Sequence, residues 1–198
     1  MFKINDIDFN IKYAYLDAFV NEDDELLNIG IKIETEKNNF IGYNVKIDSE
    51  IILKIKPKIL NEWQDIIESK IEWNKFPENG SKKPYAFLII EEHEEIYNAK
   101  IEFKKINNKI FVKIIANVNI QYENNYMENV ILEIETEIDF FILFCGNTEE
   151  KNCRKEHEQY LNVMDYKYYK TILDVSILLP NDVNMEKLKL VFGENYIV

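Results

Sequence analysis

The sequence contains little arginine, glycine or histidine, which supply many phosphate-binding loops and catalytic bases. It has one arginine, Arg154, with five glycines and two histidines in 198 residues. Arginine grips phosphate through a planar fork, and glycine lets a backbone approach it closely. The net charge is −12, and the lysine runs, Lys82-Lys83 and Lys104-Lys105, are two residues long. Such a chain repels polyanions, so the sequence predicts no nucleic-acid binding.

Cysteines and long apolar stretches are also scarce. With only Cys145 and Cys153, an oxidised scaffold is not indicated. The first residues show no basic start followed by an apolar stretch, which predicts no signal peptide. No apolar run is longer than that from Phe140 to Cys145, which is far too short to cross a membrane. We therefore expect a cytoplasmic protein with reduced thiols and no membrane partner.

Apolar residues are nevertheless plentiful. Hydrophobic residues make up 46% of the chain and aromatic residues 13%, which is typical of a folded protein despite the charge. The length fits one large domain or two small ones. We expect residues 1–198 to form a single compact unit. The alternative is two similar halves, 1–76 and 85–198, joined by a Pro/Gly loop at 76–84.

Apolar and polar residues alternate with a period of two along much of the chain, which predicts strands with one buried face. The alternation covers residues 27–33, 43–47, 110–120 and 130–144. Because the second face of the sheet is expected to be exposed to solvent, antiparallel strand pairing is favoured. The fold class expected is mainly β within α+β: an antiparallel sandwich or curved sheets with two amphipathic helices.

Two segments show helical periodicity. In the first, Ile59 to Ile71, apolar residues that include Trp63 share one face. The second runs from Cys153 to Tyr168, with Thr148 as its expected N-cap. Trp63 is predicted to be in the core, whereas Trp73 is less constrained and is placed at the surface.

An internal repeat is a further hypothesis. The tetrapeptide Ile33-Glu34-Thr35-Glu36 recurs 101 residues later as Ile134-Glu135-Thr136-Glu137. The two expected helices have the same offset, which aligns Leu60-Asn61 with Leu161-Asn162. Duplication would place two similar sheets around a pseudo-twofold axis. Chance similarity within a biased composition remains the alternative.

Potential ligands and nucleophiles occur in two groups. The acidic run Glu91 to Glu95 surrounds His93, but successive strand residues point to opposite faces, so a solvated hairpin turn is expected. Cys145, Cys153 and His157, with His93 as a fourth ligand, are a conceivable zinc set. Their spacing is looser than in zinc knuckles, and packing roles explain the same residues. A Cys153–His157 nucleophilic pair lacks any visible orienting group. The sequence predicts no catalytic residue, no cofactor and no metal.

The size of the chain, its negative charge and its lack of catalytic motifs together favour a non-catalytic binding protein. The specific hypothesis is an acidic inhibitor or immunity-type protein that occludes a basic protein partner, since negative charge speeds such encounters. The expected contacts are carboxylates on the first predicted helix, and tyrosines that anchor large interface areas. These residues are Glu62, Asp65, Glu68, Tyr166 and Tyr169.

Two other functions remain open. One is a structural or assembly β domain, phage- or secretion-associated, that self-associates through strand edges. The other is a carrier of an apolar ligand, which requires an internal cavity. A hydrolase would need several carboxylates converging in one cleft.

Overall fold

The computed structural model describes residues 1–21, 23–37, 44–49, 51–66, 70–74, 86–90, 92–122, 125–171 and 173–193. The predicted loop at 76–84 lies outside them. Within the described residues the chain is mostly β, as predicted. The strands are β1 (Phe2–Ile4), β2 (Ile7–Phe9), β3 (Ile11–Asn21), β4 (Leu26–Thr35), β5 (Lys46–Asp48), β6 (Leu53–Ile55), β7 (Lys70–Trp73), β8 (Phe87–Ile89), β9 (His93–Ile106), β10 (Lys109–Tyr122), β11 (Asn125–Glu137), β12 (Phe140–Phe144), β13 (Lys167–Lys170) and β14 (Ser176–Leu179). The helices are α1 (Glu150–His157) and α2 (Met185–Phe192), and a 3-10 turn spans Trp63–Ile66.

The strands join into one mixed sheet. Its order is β13-β14-β12-β3-β4-β5-β8-β9-β10-β11-β1-β2, with β6 beside β4 and β7 beside β9. Among the described pairs, β12 with β3 is parallel and the others are antiparallel. Open sheets of this size curl rather than stay flat.

The period-two pattern decides which face of the sheet is buried. Along β10, Ile110, Val112, Ile114 and Ala116 are buried. Inward side chains from both ends of the strand order, such as those of Phe2 and Leu178, belong to one apolar cluster. A single core can unite these strands only if the sheet curves around it.

A smaller core lies beneath α2. It contains Phe140, Ile142, Ile177, Leu179 and Leu188, with Tyr15 and Tyr169 packed against it. Because inward residues such as Phe141 and Leu143 alternate with Phe140 and Ile142, β12 is buried on both faces. Helix α2 therefore covers part of the outer face of the sheet.

The first predicted helix is wrong. The described part of the segment forms the 3-10 turn Trp63–Ile66 and then strand β7. β7 pairs with β9 in the register Lys70↔Glu102 to Trp73↔Ala99. Ile and Trp suit a pleated, half-buried strand as well as a helix face, and the available sheet edge outweighs the helical periodicity. Trp73 is accordingly buried at 5% exposure, which corrects its expected surface position.

The second predicted helix is shorter than expected. α1 ends at His157, and Tyr168 belongs to β13. Glu149 occupies the N-cap position, while the carbonyl of Thr148 accepts hydrogen bonds from Tyr168 and Ser176. Helix α2 was not predicted from the sequence, although the side chain of Asn184 caps it by accepting hydrogen bonds from two backbone amides.

The sequence offset of 101 residues aligns one hairpin with another. Strands β3 and β4 form the first hairpin, and β10 and β11 form the second. The predicted long strand at 130–144 divides into β11 and β12, with Ile138 and Asp139 between them. Duplication itself stays a prediction.

Within the described part of the chain, no helix is long and apolar enough to span a membrane.

Candidate functional site

The predicted acidic contacts Glu62 and Asp65 are exposed at the 3-10 turn, and both bind Lys105. The Nζ atom of Lys105 lies 3.2 Å from a carboxylate oxygen of Glu62 and 3.0 Å from one of Asp65. The hydrogen bond from Lys105 lowers the pKa of Asp65. Two carboxylates sharing one ammonium retain a net negative charge. Glu68 lies outside the described residues.

The two predicted tyrosine anchors differ in exposure. Tyr166 is only 9% exposed, and burial raises the pKa of its hydroxyl far above the usual range. Its carbonyl oxygen accepts a hydrogen bond from Arg154 at 2.8 Å. Tyr169 is partly exposed and packs at the border of the smaller core. Of the two rings, Tyr169 offers the more accessible surface.

Tyr160 connects two acidic segments. Its backbone pairs with Leu60, two residues before Glu62, through a 2.9 Å hydrogen bond. Its hydroxyl donates to the carbonyl oxygen of Glu25 at 2.6 Å, in the β3–β4 turn. Burial, and then the charges of Glu25, Asp24 and Glu156, raise the pKa of Tyr160. The charges that act on Tyr160 and the two carboxylates that follow Leu60 are together called the acidic surface: Asp24, Glu25, Glu156, Glu62 and Asp65. Within it, Asp24 pairs with Lys54 at 2.8 Å.

A cleft of about 570 Å³ lies between α2 and the outer face of β3 and β4. Glu34, only 7% exposed, is at its base. The carboxylate of Glu34 accepts hydrogen bonds from Tyr13 at 2.5 Å, Lys12 at 3.3 Å and Asn44 at 3.1 Å, and pairs with Lys46 at 3.1 Å. A carboxylate has about four lone-pair positions. Those of Glu34 are engaged, so it is a poor candidate for a general base.

Two carboxylates, those of Asp17 and Asp48, flank Lys32 further along the same outer face. Lys32 is 3.9 Å from Asp17 on β3 and forms a close ion pair with Asp48 on β5. Burial raises the pKa of Asp17 to about 6 even though Lys32 opposes the shift. Such shifts occur at catalytic sites and in structural ion pairs alike. Because the lysine lies between the two carboxylates, the arrangement resembles an ion-pair bridge.

The two cysteines, expected to be free thiols, are joined by a disulfide, which corrects that expectation. Their Cα atoms are 5.3 Å apart, with Cys145 at the end of β12 and Cys153 in α1. A ring nitrogen of His157 and the two sulfur atoms lie within 4.8 Å of one another, and all three residues are buried. Burial lowers the pKa of His157. One feature of the sequence could have indicated that the three residues meet. Cys153 and His157 are spaced i, i+4 on a helix that starts shortly after Cys145, the cysteine that follows strand β12.

The other histidine is in a different setting. His93 opens β9 opposite Ile89, so β8 and β9 form the predicted hairpin. The turn expected at 91–95 is shorter than predicted, because His93, Glu94 and Glu95 already belong to β9, and Glu91 lies outside the described residues. Its exposed ring contacts Phe87 edge-on at 5.8 Å between centroids. Within the described residues, the group that could hold a metal comprises Cys145, Cys153 and His157 without His93.

Comparisons with protein families, curated proteins and solved structures find no match to this chain.

Proposed function

We propose that the protein is a non-catalytic, cytoplasmic binding protein that occludes a basic protein partner, in the manner of an inhibitor or immunity protein. The observation that supports it is the meeting of two acidic segments at Tyr160. The β3–β4 turn and Leu60, two residues before Glu62, are distant in sequence, but both form hydrogen bonds with this residue. Their carboxylates add to an overall charge of −12. Such a field speeds and orients encounter with a cationic surface.

The proposed contacts start from the acidic surface and extend to Tyr169. Glu62 and Asp65 meet a partner while sharing Lys105, which keeps their side chains ordered before binding. Carboxylates held in place lose less side-chain entropy on association. Glu68 and Tyr166 stay in the proposal as sequence predictions; the buried ring of Tyr166 would have to move to reach a partner.

The experiment compares the wild type with a charge-reversal variant, Glu25→Lys plus Glu62→Lys. Tagged protein is incubated with lysate at low salt, and captured proteins are eluted with rising salt and identified. We expect a basic protein to elute early, because contacts between exposed charges weaken with ionic strength. Association of the purified partner should then be at least about tenfold slower with the variant, since steering by charge acts mainly on the association rate.

The matched control is Glu128→Lys plus Glu135→Lys, which reverses two exposed carboxylates of β11 outside the acidic surface. It has the same net charge as the test variant. Equal slowing by both variants would mean that only net charge matters, and would contradict a defined contact surface. The melting temperatures of both variants should stay close to the wild type, because exposed substitutions rarely change stability by more than about 0.5 kcal/mol.

Self-association is a second candidate with its own observation. Tyr126, Met127 and Ile131 are exposed on β11, and Ile115 is exposed on the adjacent β10. Exposed apolar side chains close together mark interaction surfaces. Sedimentation that depends on concentration but not on salt, and that changes with Ile131→Glu, would favour this function over an acidic inhibitor.

A further inference from the structure

The disulfide and His157 together form a buried group that the proposed binding function does not use. Cys153 and His157 are fully buried, and Cys145 is 7% exposed. Two sulfur atoms and an imidazole nitrogen lie within 4.8 Å of one another. Thiolate and imidazole are the ligands that zinc and cuprous ions prefer, whereas calcium and magnesium require oxygen.

The hydrogen bonding of His157 leaves one nitrogen available. Its Nδ1 atom lies 3.0 Å from the carbonyl oxygen of Cys153. A carbonyl oxygen only accepts, so Nδ1 carries the proton and Nε2 has a free lone pair. Nε2 is buried, and no hydrogen-bond partner for it exists among the described residues. Buried polar atoms are normally satisfied, and metal-binding histidines commonly donate their other nitrogen to a backbone carbonyl.

The backbone brings the three residues together from two elements. Cys153 and His157 are one helical turn apart on the same face of α1. Cys145 directly follows β12, and its amide donates to the carbonyl oxygen of Ser176 on β14 at 3.0 Å. Gly146 follows with a φ of 61°, in the left-handed region that favours glycine. This turn directs the chain into α1, so the group rests on ordered elements.

We infer that the reduced form of this group, Cys145, Cys153 and His157, binds one thiophilic d¹⁰ cation, zinc or cuprous copper. The disulfide and the metal-bound form exclude each other, because both require the same two sulfur atoms. A dithiol reductant supplies two electrons and two protons to the disulfide and becomes a disulfide itself, leaving two thiols in the protein. The cation then displaces the two thiol protons and takes Nε2 of His157 as its third ligand.

This inference is independent of the proposed partner and reconciles the disulfide with a cytoplasmic location. Cytosolic thiols are kept reduced, so a disulfide there is usually transient or redox-sensing. A pair of cysteines that binds a metal when reduced and forms the disulfide when oxidised is compatible with both the reducing cytosol and the disulfide in the structure. Cuprous copper is stable with three ligands, whereas zinc takes a fourth, such as water.

The test uses the full chain, reduced and then separated from the reductant without oxygen. Cobalt(II) is titrated as a spectroscopic substitute for zinc, and cuprous ion is titrated in competition with a chromophoric chelator. We expect one equivalent to bind, with thiolate-to-cobalt charge-transfer absorption that one equivalent of zinc abolishes. The disulfide form should bind neither ion. X-ray absorption of the loaded wild type should show two sulfur neighbours, and the preferred ion identifies which cation the group takes.

The variants are His157→Gln and Cys153→Ser, with His93→Gln as the matched control at the chain's other histidine. His157→Gln and Cys153→Ser should each bind the metal at least about 100-fold more weakly than the wild type. Losing a hydrogen bond that only supports a ligand weakens metal binding by up to about 100-fold, so losing the ligand itself should cost at least as much. His93→Gln should bind like the wild type. If the buried substitutions prevent folding, the wild-type spectra alone decide. Binding without sulfur neighbours, equal binding by the disulfide form, or no stoichiometric binding would overturn the inference.

Discussion

The hydroxyl of Tyr13 donates a 2.5 Å hydrogen bond to the carboxylate of Glu34, its direct cross-strand partner on β4. Burial acts to raise the pKa of Glu34, but the hydrogen bonds from Tyr13 and Lys46 outweigh it, so the pKa lies below its usual value. Burial, and then the same contact with Glu34, raise the pKa of Tyr13. Glu34 therefore stays charged inside the cleft because its neighbours donate to it.

Tyr13→Phe should destabilise the protein by about 1.5–3 kcal/mol at pH 7, the usual contribution of one hydrogen bond to a charged group, since Lys12, Asn44 and Lys46 still contact Glu34. Urea unfolding measures the change. Because the folded pKa of Glu34 is depressed, its contribution is present above the unfolded pKa and lost as the pH falls through the folded one. The difference between variant and wild type should thus shrink below about pH 4. Tyr126→Phe, at an exposed position on β11, is the control and should match the wild type.

Asp17 should produce the opposite pH dependence. Burial raises its folded pKa to about 6 from 3.8, so the folded state binds a proton more tightly than the unfolded state. Stability should therefore fall as the pH rises from about 4 to about 6, by up to about 3 kcal/mol from this group. Asp17→Asn should remove that slope and be more stable than the wild type at pH 7.

The measurement is the free energy of unfolding at several pH values between 3.5 and 7.5, values chosen to bracket the usual range of carboxyl pKa values. Asp165→Asn, at an exposed position, serves as the control and should keep the wild-type slope. If Asp17→Asn instead lowers stability at pH 7, the ion pair with Lys32 is worth more than the burial of the carboxylate costs.

The period-two pattern predicted the strands because burial of one face imposes it locally. Residues 110–120 show this best, because every second residue of this segment is apolar in the sequence and buried in β10. The helix predicted at 59–71 failed because a partner strand, β9, was available to β7, and strand pairing across the sheet is not visible in a local window. Local periodicity is ambiguous where isoleucine and tryptophan suit both structures.

The candidate site could be predicted less well than the fold. Glu34 occupies a polar position of an alternating strand, which indicates exposure. It is buried because Tyr13 and Asn44 reach it from 21 and 10 residues away and α2 lines the same cleft. The acidic surface similarly depends on Tyr160, which contacts segments more than 90 residues away in sequence. Long-range contacts of this kind follow from the sheet topology, which one sequence does not reveal.

The single arginine has a structural role in α1. Its guanidinium donates to the carbonyl oxygens of Val163 at 2.6 Å and Tyr166 at 2.8 Å, and pairs with Glu150. Lysine cannot make these bonds together, because it lacks the planar fork. Arg154→Lys should cost about 1–3 kcal/mol, as expected for a lost charged hydrogen bond. Lys151→Ala, exposed on the same helix, should stay within about 0.5 kcal/mol of the wild type. Equal unfolding midpoints for Arg154→Lys and the wild type would contradict this role.

Both tryptophans should report a buried environment. Trp63 stacks on Phe141 with ring centroids 5.5 Å apart, and Trp73 donates to the carbonyl oxygen of Ile96 at 3.0 Å. The native protein should emit at shorter wavelength than free tryptophan and resist quenching by iodide, and urea should abolish both properties. The single-tryptophan variants Trp63→Phe and Trp73→Phe assign the signals. Trp73→Phe should also lower stability by about 1–3 kcal/mol, because the Ile96 carbonyl loses its donor. If the tryptophan left in Trp63→Phe is quenched as readily as free tryptophan, Trp73 lies at the surface and β7 does not pack as described.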